Sequence, residues 1–215
     1  MTKLNEIERQ AGTLMLSNLK MFNEAAVVFE KHIEPAFWKG FDLYTERFKE
    51  ENSWSGKTGM TQKEYLWLAP PHWAINAETN TYKYWFENHL TTSEGRDYYL
   101  AVLTQSHTEQ GAFGFQFKLN PSWFGGTRKM HDYLNNTAQK HRTSLVTLGF
   151  KDQRKGNFFL PIKLDINQVV DCWKEYGEFP VEHEVFTPLQ QALEKLIKSA
   201  AIFDEFFSSF DAESE

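Results

Sequence analysis

Four residues in the first third of the chain have the order that ends a phosphate-binding loop. Ser55, Gly56, Lys57 and Thr58 form a Gly-Lys-Thr triplet with a preceding serine, and a lysine beside free backbone N–H groups can hold a nucleotide phosphate. Such a loop also needs a glycine five residues before the triplet, a strand before it and a helix after it. Position 51 is Glu, and the segment follows a predicted helix. The sequence therefore predicts a solvated connector here.

Histidines and a single cysteine are the residues best suited to bind a metal or act as a nucleophile. The seven histidines have neither the i, i+4 spacing nor the paired spacing of a metal site. Cys172 is the only cysteine, and no Gly-x-Ser-x-Gly motif is present. We therefore expect no metal site, no internal disulfide and no serine or cysteine hydrolase. We interpret Cys172 as a buried small hydrophobic residue.

Positive charge collects in residues 121–164, although the chain as a whole is acidic. This segment has eight Lys or Arg residues against two Asp, a net charge of +6, whereas the complete chain has −6 at pH 7. A basic surface can bind nucleic acid because contacts with phosphates release counterions. The alternative is a solvated face that balances acidic neighbours in the same molecule.

A helix predicted to begin near Thr127 offers a more specific anion site. Gly125 and Gly126 precede it, so free backbone N–H groups and two cations would meet at one helix end. The alternative is a flexible loop with a threonine cap. The candidate anion-binding residues are Thr127, Arg128, Lys129, Arg154 and Lys155.

Gln116-Phe117-Lys118 ends a predicted strand that follows another predicted strand opening with Asp97. A helix and a further strand come next. This order, over about 50 residues, resembles the restriction-endonuclease-like nucleases. The resemblance implies that Asp97 and Gln116 would bind Mg²⁺ and that Lys118 would lie near the attacked phosphate. Gln116 stands where the family uses an acid, and a bulge decides whether Asp97 shares a face with Lys118.

Aromatic residues crowd between positions 54 and 86. The predicted strand from Thr81 to Asn88 has rings on both faces, which is typical of a central strand or of one that presents rings to a ligand. Trp and Tyr are favoured anchors of protein interfaces, although they also fill cores. The interface candidates are Trp67, Trp73, Tyr82, Tyr84 and Trp85.

Two long amphipathic helices are predicted at the ends of the chain. From Leu4 to His32, apolar positions alternate at spacings of three and four, with Asn18 and His32 in the same seam. Pro35 should kink or end this helix, and a second helix should follow to Glu50. The last helix should begin with Thr187 as its cap and continue its apolar stripe to Phe210.

In the middle of the chain, apolar and polar residues alternate with the period of two that is typical of strands. Strands are predicted over Glu64 to Leu68, Thr81 to Asn88, Tyr98 to Ser106, Gly111 to Leu119, Ser144 to Phe150 and Asn157 to Leu164, and helices over Thr127 to His141 and Asp165 to Tyr176. The pattern predicts an α+β fold, a mainly antiparallel central sheet flanked by long N-terminal and C-terminal amphipathic helices. We expect one domain over 1–215, with helical segments at 1–51 and 165–210 and a sheet with an inserted helix at 62–164.

Composition and charge narrow the functional classes. The 34 aromatic residues among 215 can fill a large core, and no apolar run reaches the length of a membrane span. Without a visible signal sequence, we expect a soluble, cytoplasmic protein that does not bind membranes. We expect a non-catalytic interaction or regulatory protein that binds another protein or itself. The alternative is a nuclease, with Mg²⁺ as its cofactor, or another nucleic-acid-binding protein.

Overall fold

A computed structural model describes residues 5–62, 65–91, 98–106, 111–136 and 139–212 of the chain. The helices are α1 (Glu6–Ser17), α2 (Leu19–Val28), α3 (Glu34–Glu51), α4 (Tyr99–Thr104), α5 (Thr127–Asn136), α6 (Gln139–Thr147), α7 (Ile166–Tyr176) and α8 (Thr187–Ala212). The strands are β1 (Ser55–Lys57), β2 (Trp67–Ala69), β3 (Ala74–Asn76), β4 (Thr81–Tyr82), β5 (Tyr84–Thr91), β6 (Ala112–Leu119), β7 (Lys151–Asp152) and β8 (Phe158–Ile162).

The predicted α+β class is confirmed. Six strands form one antiparallel sheet in the order β1-β2-β5-β6-β8-β7, and β3 and β4 form a separate two-stranded sheet. Strand β6 is central: it pairs with β5 along its whole length and with β8 on its other side. Long helices lie at both ends of the described chain.

The core lies between one face of the large sheet and helix α8. On β6, the side chains of Phe113, Phe115 and Phe117 are each at most 1% exposed. Phe203 of α8 stacks on Phe117 with a distance of 3.6 Å between ring centroids and an angle of 4°. Period-two alternation along β6 and the 3.6-residue period of α8 bring these rings together.

Helix α3 extends the same core. Trp38 and Phe41 contact Phe113, with centroid distances of 5.6 Å and 6.1 Å. The backbone of α3 passes so close to the segment after α7 that a Cβ atom on Gly40 would lie 2.4 Å from the carbonyl oxygen of Phe179. Glycine is required there by close packing of the main chain.

Two predicted strands are helices in the structure. Most of the segment from Tyr98 to Ser106 forms α4, in which Leu100, Val102, Leu103 and Thr104 are buried. Most of the segment from Ser144 to Phe150 belongs to α6, which ends at Thr147. Both predictions were wrong because a short apolar run has no period that separates a buried strand from a buried helix.

Pro35 neither ends nor interrupts the N-terminal helical segment. A π-helical turn over Phe29–Ile33 precedes it, and the N–H of Glu34 donates to the carbonyl oxygen of Phe29. Pro35 then falls in the first turn of α3, where its missing N–H costs little. The helix therefore continues past Pro35 through one wider turn.

Helices α1 and α2 lie outside the core. Neither buries a residue, in contrast to α3. None of the helices in the described ranges combines the length and apolar character needed to cross a membrane.

Candidate interaction surfaces

The first candidate surface is an exposed apolar stripe on α1 and α2. Its large side chains are between 44% and 78% exposed. They project to one side at spacings that follow the helical period. We call this surface the N-terminal stripe, and it consists of Ile7, Leu14, Met15, Met21, Phe22 and Val28.

Local sequence explains why the N-terminal stripe lies on two helices. Asn5 and Glu8 form a capping box at the start of α1: Asn5 Oδ1 accepts from the Glu8 N–H at 2.9 Å, and Glu8 Oε2 accepts from the Asn5 N–H at 2.6 Å. Asn18 then separates α1 from α2, and its side-chain Nδ2 donates to the carbonyl oxygen of Leu14 at 3.0 Å. An asparagine that binds nearby backbone groups competes with helical hydrogen bonds.

The N-terminal stripe ends where the helix meets the rest of the molecule. The Phe29 ring packs edge-on against Tyr98 with 4.8 Å between centroids. The Tyr98 hydroxyl donates to Glu30 Oε1 at 2.9 Å. This bond to the Glu30 carboxylate, and then its negative charge, raise the pKa of Tyr98 above its ordinary value. These contacts fix the base of the helix and leave the stripe beyond them exposed.

The second candidate surface holds part of the predicted aromatic set. Trp73 and Tyr84 are each 1% exposed and belong to the core, so in this structure they cannot form a surface. Trp67 and Trp85 are half-buried. With Tyr82, which is 4% exposed, they line a groove of about 640 Å³ on the outer face of the large sheet. We call it the sheet groove, and its lining residues are Gly56, Lys57, Tyr65, Trp67, Asn80, Thr81, Tyr82, Trp85, Glu87 and Asn120.

A short network of polar groups lies on the floor of the sheet groove. Glu87 Oε1 pairs with Lys118 Nζ at 3.0 Å, and Glu87 Oε2 accepts from the Trp85 indole N–H at 3.0 Å. Lys57 Nζ lies 5.4 Å from the centre of the Tyr65 ring, within cation–π range. The charges of the groove are therefore largely balanced within it.

Sequence reasoning missed the polar members of this groove. Asn80 and Glu87 come from one stretch, and Tyr65 and Asn120 come from two others, so only the folded chain brings all four together. One signal was present: Glu87 follows Trp85 by two residues on a strand, so both point to the same face.

The structure gives the nuclease alternative no additional support. Asp97 lies outside the described residues. Gln116 is 3% exposed, and its Nε2 lies 3.5 Å from the carbonyl oxygen of Phe158, while Lys118 pairs with Glu87. Strand β6 pairs with β5 and β8, and the segment predicted as the strand after Asp97 is α4. The described ranges hold no group of three or more His, Cys, Asp or Glu side chains that could bind a metal.

The anion-binding candidates lie in two exposed places. Thr127, Arg128 and Lys129 are at the start of α5, and Arg154 and Lys155 are in the turn between β7 and β8. Elsewhere in the basic segment, Arg142 pairs with Asp152 at 3.0 Å and donates to the Leu134 carbonyl oxygen, so part of its charge is internally balanced. Anion binding at these five residues stays a prediction.

Comparison with known proteins adds no further assignment. No protein-family model matches this chain, and neither a curated protein nor a solved structure matches it.

Proposed function

We propose that the protein is a non-catalytic interaction protein that associates with a second copy of itself through the N-terminal stripe. The observation that carries this proposal is the exposure of the stripe: Ile7, Leu14 and Met21 are 78%, 68% and 65% exposed. Contiguous apolar surface of this kind marks interaction sites in water-exposed proteins.

The apolar area is large enough for pairing between two copies. The six side chains of the N-terminal stripe expose on the order of 600 Å² per copy, and two copies together expose about 1,200 Å², the lower limit of stable interfaces. Neighbouring residues of the same seam add to this area. Complete burial of both stripes would therefore just reach that lower limit.

The lack of packing along the two helices supports the same proposal. Helix α1 has 12 residues, α2 continues through the wider turn into α3, and neither α1 nor α2 buries a residue. Most helical stability in proteins comes from packing of an apolar face. A second stripe would supply that packing.

Two features favour a second copy over a different partner. Within α1 and within α2, the seam keeps the three-and-four spacing of helices that pair with each other. Between Glu6 and Lys31 there are four Glu and three Lys or Arg residues, so two such helices meet with little net repulsion. The same balance does not suit an anionic membrane, which attracts helices rich in Lys and Arg.

The proposal is tested by the mass of the protein in solution. We expect multi-angle light scattering to give the mass of a dimer at micromolar concentrations. The double substitution Leu14→Asp with Met21→Asp should give a monomer, because it places charges within the stripe. The matched control is Thr13→Asp with Asn23→Asp, which also adds one negative charge to each of the two helices, at exposed positions on the side away from the stripe, and should remain a dimer.

Two results would overturn the proposal: a wild-type protein that is monomeric at one hundred micromolar, or a Leu14→Asp, Met21→Asp protein that still dimerises. A circular-dichroism dilution series provides a second reading. Helicity should fall on dilution of the wild type as the stripes separate, and it should be lower and independent of concentration in the stripe variant.

A further inference from the structure

The sheet groove carries an inference that is independent of the N-terminal stripe. We propose that the sheet groove binds a neutral saccharide. Three properties of the groove favour such a ligand: the spacing of its aromatic rings, the pairing of its charges and the rigidity of its floor.

The rings of the sheet groove are arranged along one face of two paired strands. Trp67 on β2 lies opposite Glu87 on β5, and Trp85 is two residues from Glu87 on the same strand. Trp67 and Trp85 are therefore diagonal neighbours, with Cα atoms about 7–8 Å apart. Tyr82 lies beside Trp67 with 5.0 Å between ring centroids, and Tyr65 is 58% exposed at the rim.

Such rings suit a sugar because a pyranose has flat patches of C–H groups that pack on indole and phenol faces. Its hydroxyl groups then point sideways towards polar residues. The sheet groove has Asn80, Thr81 and Asn120 among its lining residues, and the Glu87 carboxylate lies on its floor. Its volume of about 640 Å³ is within the range of ~300–1,000 Å³ typical of ligand sites.

The charges of the groove disfavour two other classes of ligand. An aromatic cage for a quaternary ammonium ion would gain from an unpaired carboxylate, but Glu87 is already bound by Lys118 and by the Trp85 N–H. A nucleic-acid strand would need several cations along the groove, and the lining residues include one lysine, which lies over Tyr65. A neutral ligand with many hydroxyl groups requires neither.

The floor of the groove is held in position before any ligand arrives. Trp67 and Trp85 stand on strands, and the bond from the Trp85 N–H to Glu87 limits rotation of that indole. Asn120 Nδ2 donates to the Tyr82 carbonyl oxygen at 3.1 Å, and Asn120 Oδ1 accepts from the Ser122 N–H at 3.1 Å. A site whose rings are already ordered loses less entropy on binding.

The test is isothermal titration calorimetry of the full chain with a panel of neutral oligosaccharides, built separately from glucose, mannose, galactose and N-acetylglucosamine. We expect saturable binding of at least one of them. Trp85→Ala and Trp67→Ala should each weaken that binding at least about tenfold, as for aromatic anchors of other interfaces. Tyr65→Ala, at an exposed position, should weaken it less and is safe for folding.

Trp173→Ala is the matched control, because Trp173 is also half-buried but lies outside the sheet groove. It should leave the affinity unchanged, and circular dichroism should show that each variant is folded. Binding of the sugar should not change with salt concentration. The proposal is overturned if no saccharide of the panel binds at millimolar concentration, if Tyr65→Ala and Trp85→Ala bind as the wild type does, or if only choline or single-stranded DNA binds the groove.

Discussion

The two terminal helical segments have the same kind of apolar periodicity and opposite surroundings. In α8, Leu189, Leu196 and Phe203 are 0% exposed, whereas α1 and α2 bury no residue. The apolar periodicity of a helix therefore indicates that one of its faces will be covered, but it does not identify what covers that face. Here the sheet covers the C-terminal helix, and we propose a second copy of the chain for the N-terminal pair.

The side chains on the two segments differ in a way that fits these surroundings. Helix α8 presents aromatic rings, such as Phe203 and Phe207, which match rings of the sheet: Phe207 stacks on Tyr84 with 4.9 Å between centroids. The N-terminal stripe has one ring, Phe22, and two Met residues, whose flexible side chains adapt to a partner surface. Closely matched rings suit a fixed core, and methionines suit a surface that must adapt.

The largest expected difference between the segments is in the free energy of unfolding. Phe203→Ala should lower it by about 3–5 kcal/mol, because the ring is fully buried and leaves a cavity against Phe117. Phe22→Ala, at a ring that is 45% exposed, should change it by less than ~0.5 kcal/mol. Urea unfolding at low protein concentration measures both, and equal losses would show that the N-terminal helices belong to the core.

Smaller changes in stability, opposite in sign, are expected when two helical glycines are each changed to alanine. Gly40→Ala should destabilise the fold by about 1–3 kcal/mol, because its Cβ would overlap the Phe179 carbonyl. The Cβ atom that Gly12→Ala adds would have no neighbouring atom within 4 Å. This substitution should stabilise the helix by ~0.8–1 kcal/mol. Urea unfolding measures the first effect, and far-UV circular dichroism measures the second. Loss of helicity in Gly12→Ala would contradict an open environment for α1.

The smallest effect on stability is expected when Ser17 is changed to Cys, because this exposed site should tolerate the change within ~0.5 kcal/mol. Its thiol should react with Ellman's reagent at once at pH 8. Burial, and then the charge of Glu175, raise the pKa of Cys172 from 9.0 to about 11. Because the Cys172 side chain is buried and its pKa is raised, its thiol should react only after unfolding. Rapid reaction in the folded protein would show that α7 opens.

The same raised pKa has a consequence for stability at high pH. The fold favours the protonated thiol of Cys172, so the stabilisation from this group is complete below pH 9.0 and is lost as the pH rises to about 11. A Cys172→Ala variant should lack this part of the alkaline decline, which urea unfolding at several pH values would measure.

The sequence correctly predicted the elements whose apolar pattern continues over many residues. The N-terminal and C-terminal helices, α3 and strand β6 lie where their patterns indicated, and the rings of Phe113, Phe115 and Phe117 share the buried face. It failed for α4 and α6, where the apolar run was too short to show a period. Cys172 was correctly interpreted as buried.

The sites were less accessible to sequence reasoning, and for a physical reason. The crowding of rings around Trp73 was visible, but their division into core and surface depends on which strand face meets α8. Trp73 and Tyr84 turned inwards and Trp85 outwards, although all three belong to one crowded segment. The sheet groove also needed Asn120 to meet residues of the stretch 56–87, which no local pattern encodes.

The outermost strands of the large sheet also bear on how copies can meet. Strand β1 has three residues and β7 has two, and each ends the sheet with an exposed lysine, Lys57 or Lys151. Short, charged edges resist strand-to-strand addition, the route by which exposed sheets aggregate. In the dimer that we propose, the two N-terminal stripes would cover each other and the sheet edges would add no further copies, so the assembly would stop at two chains.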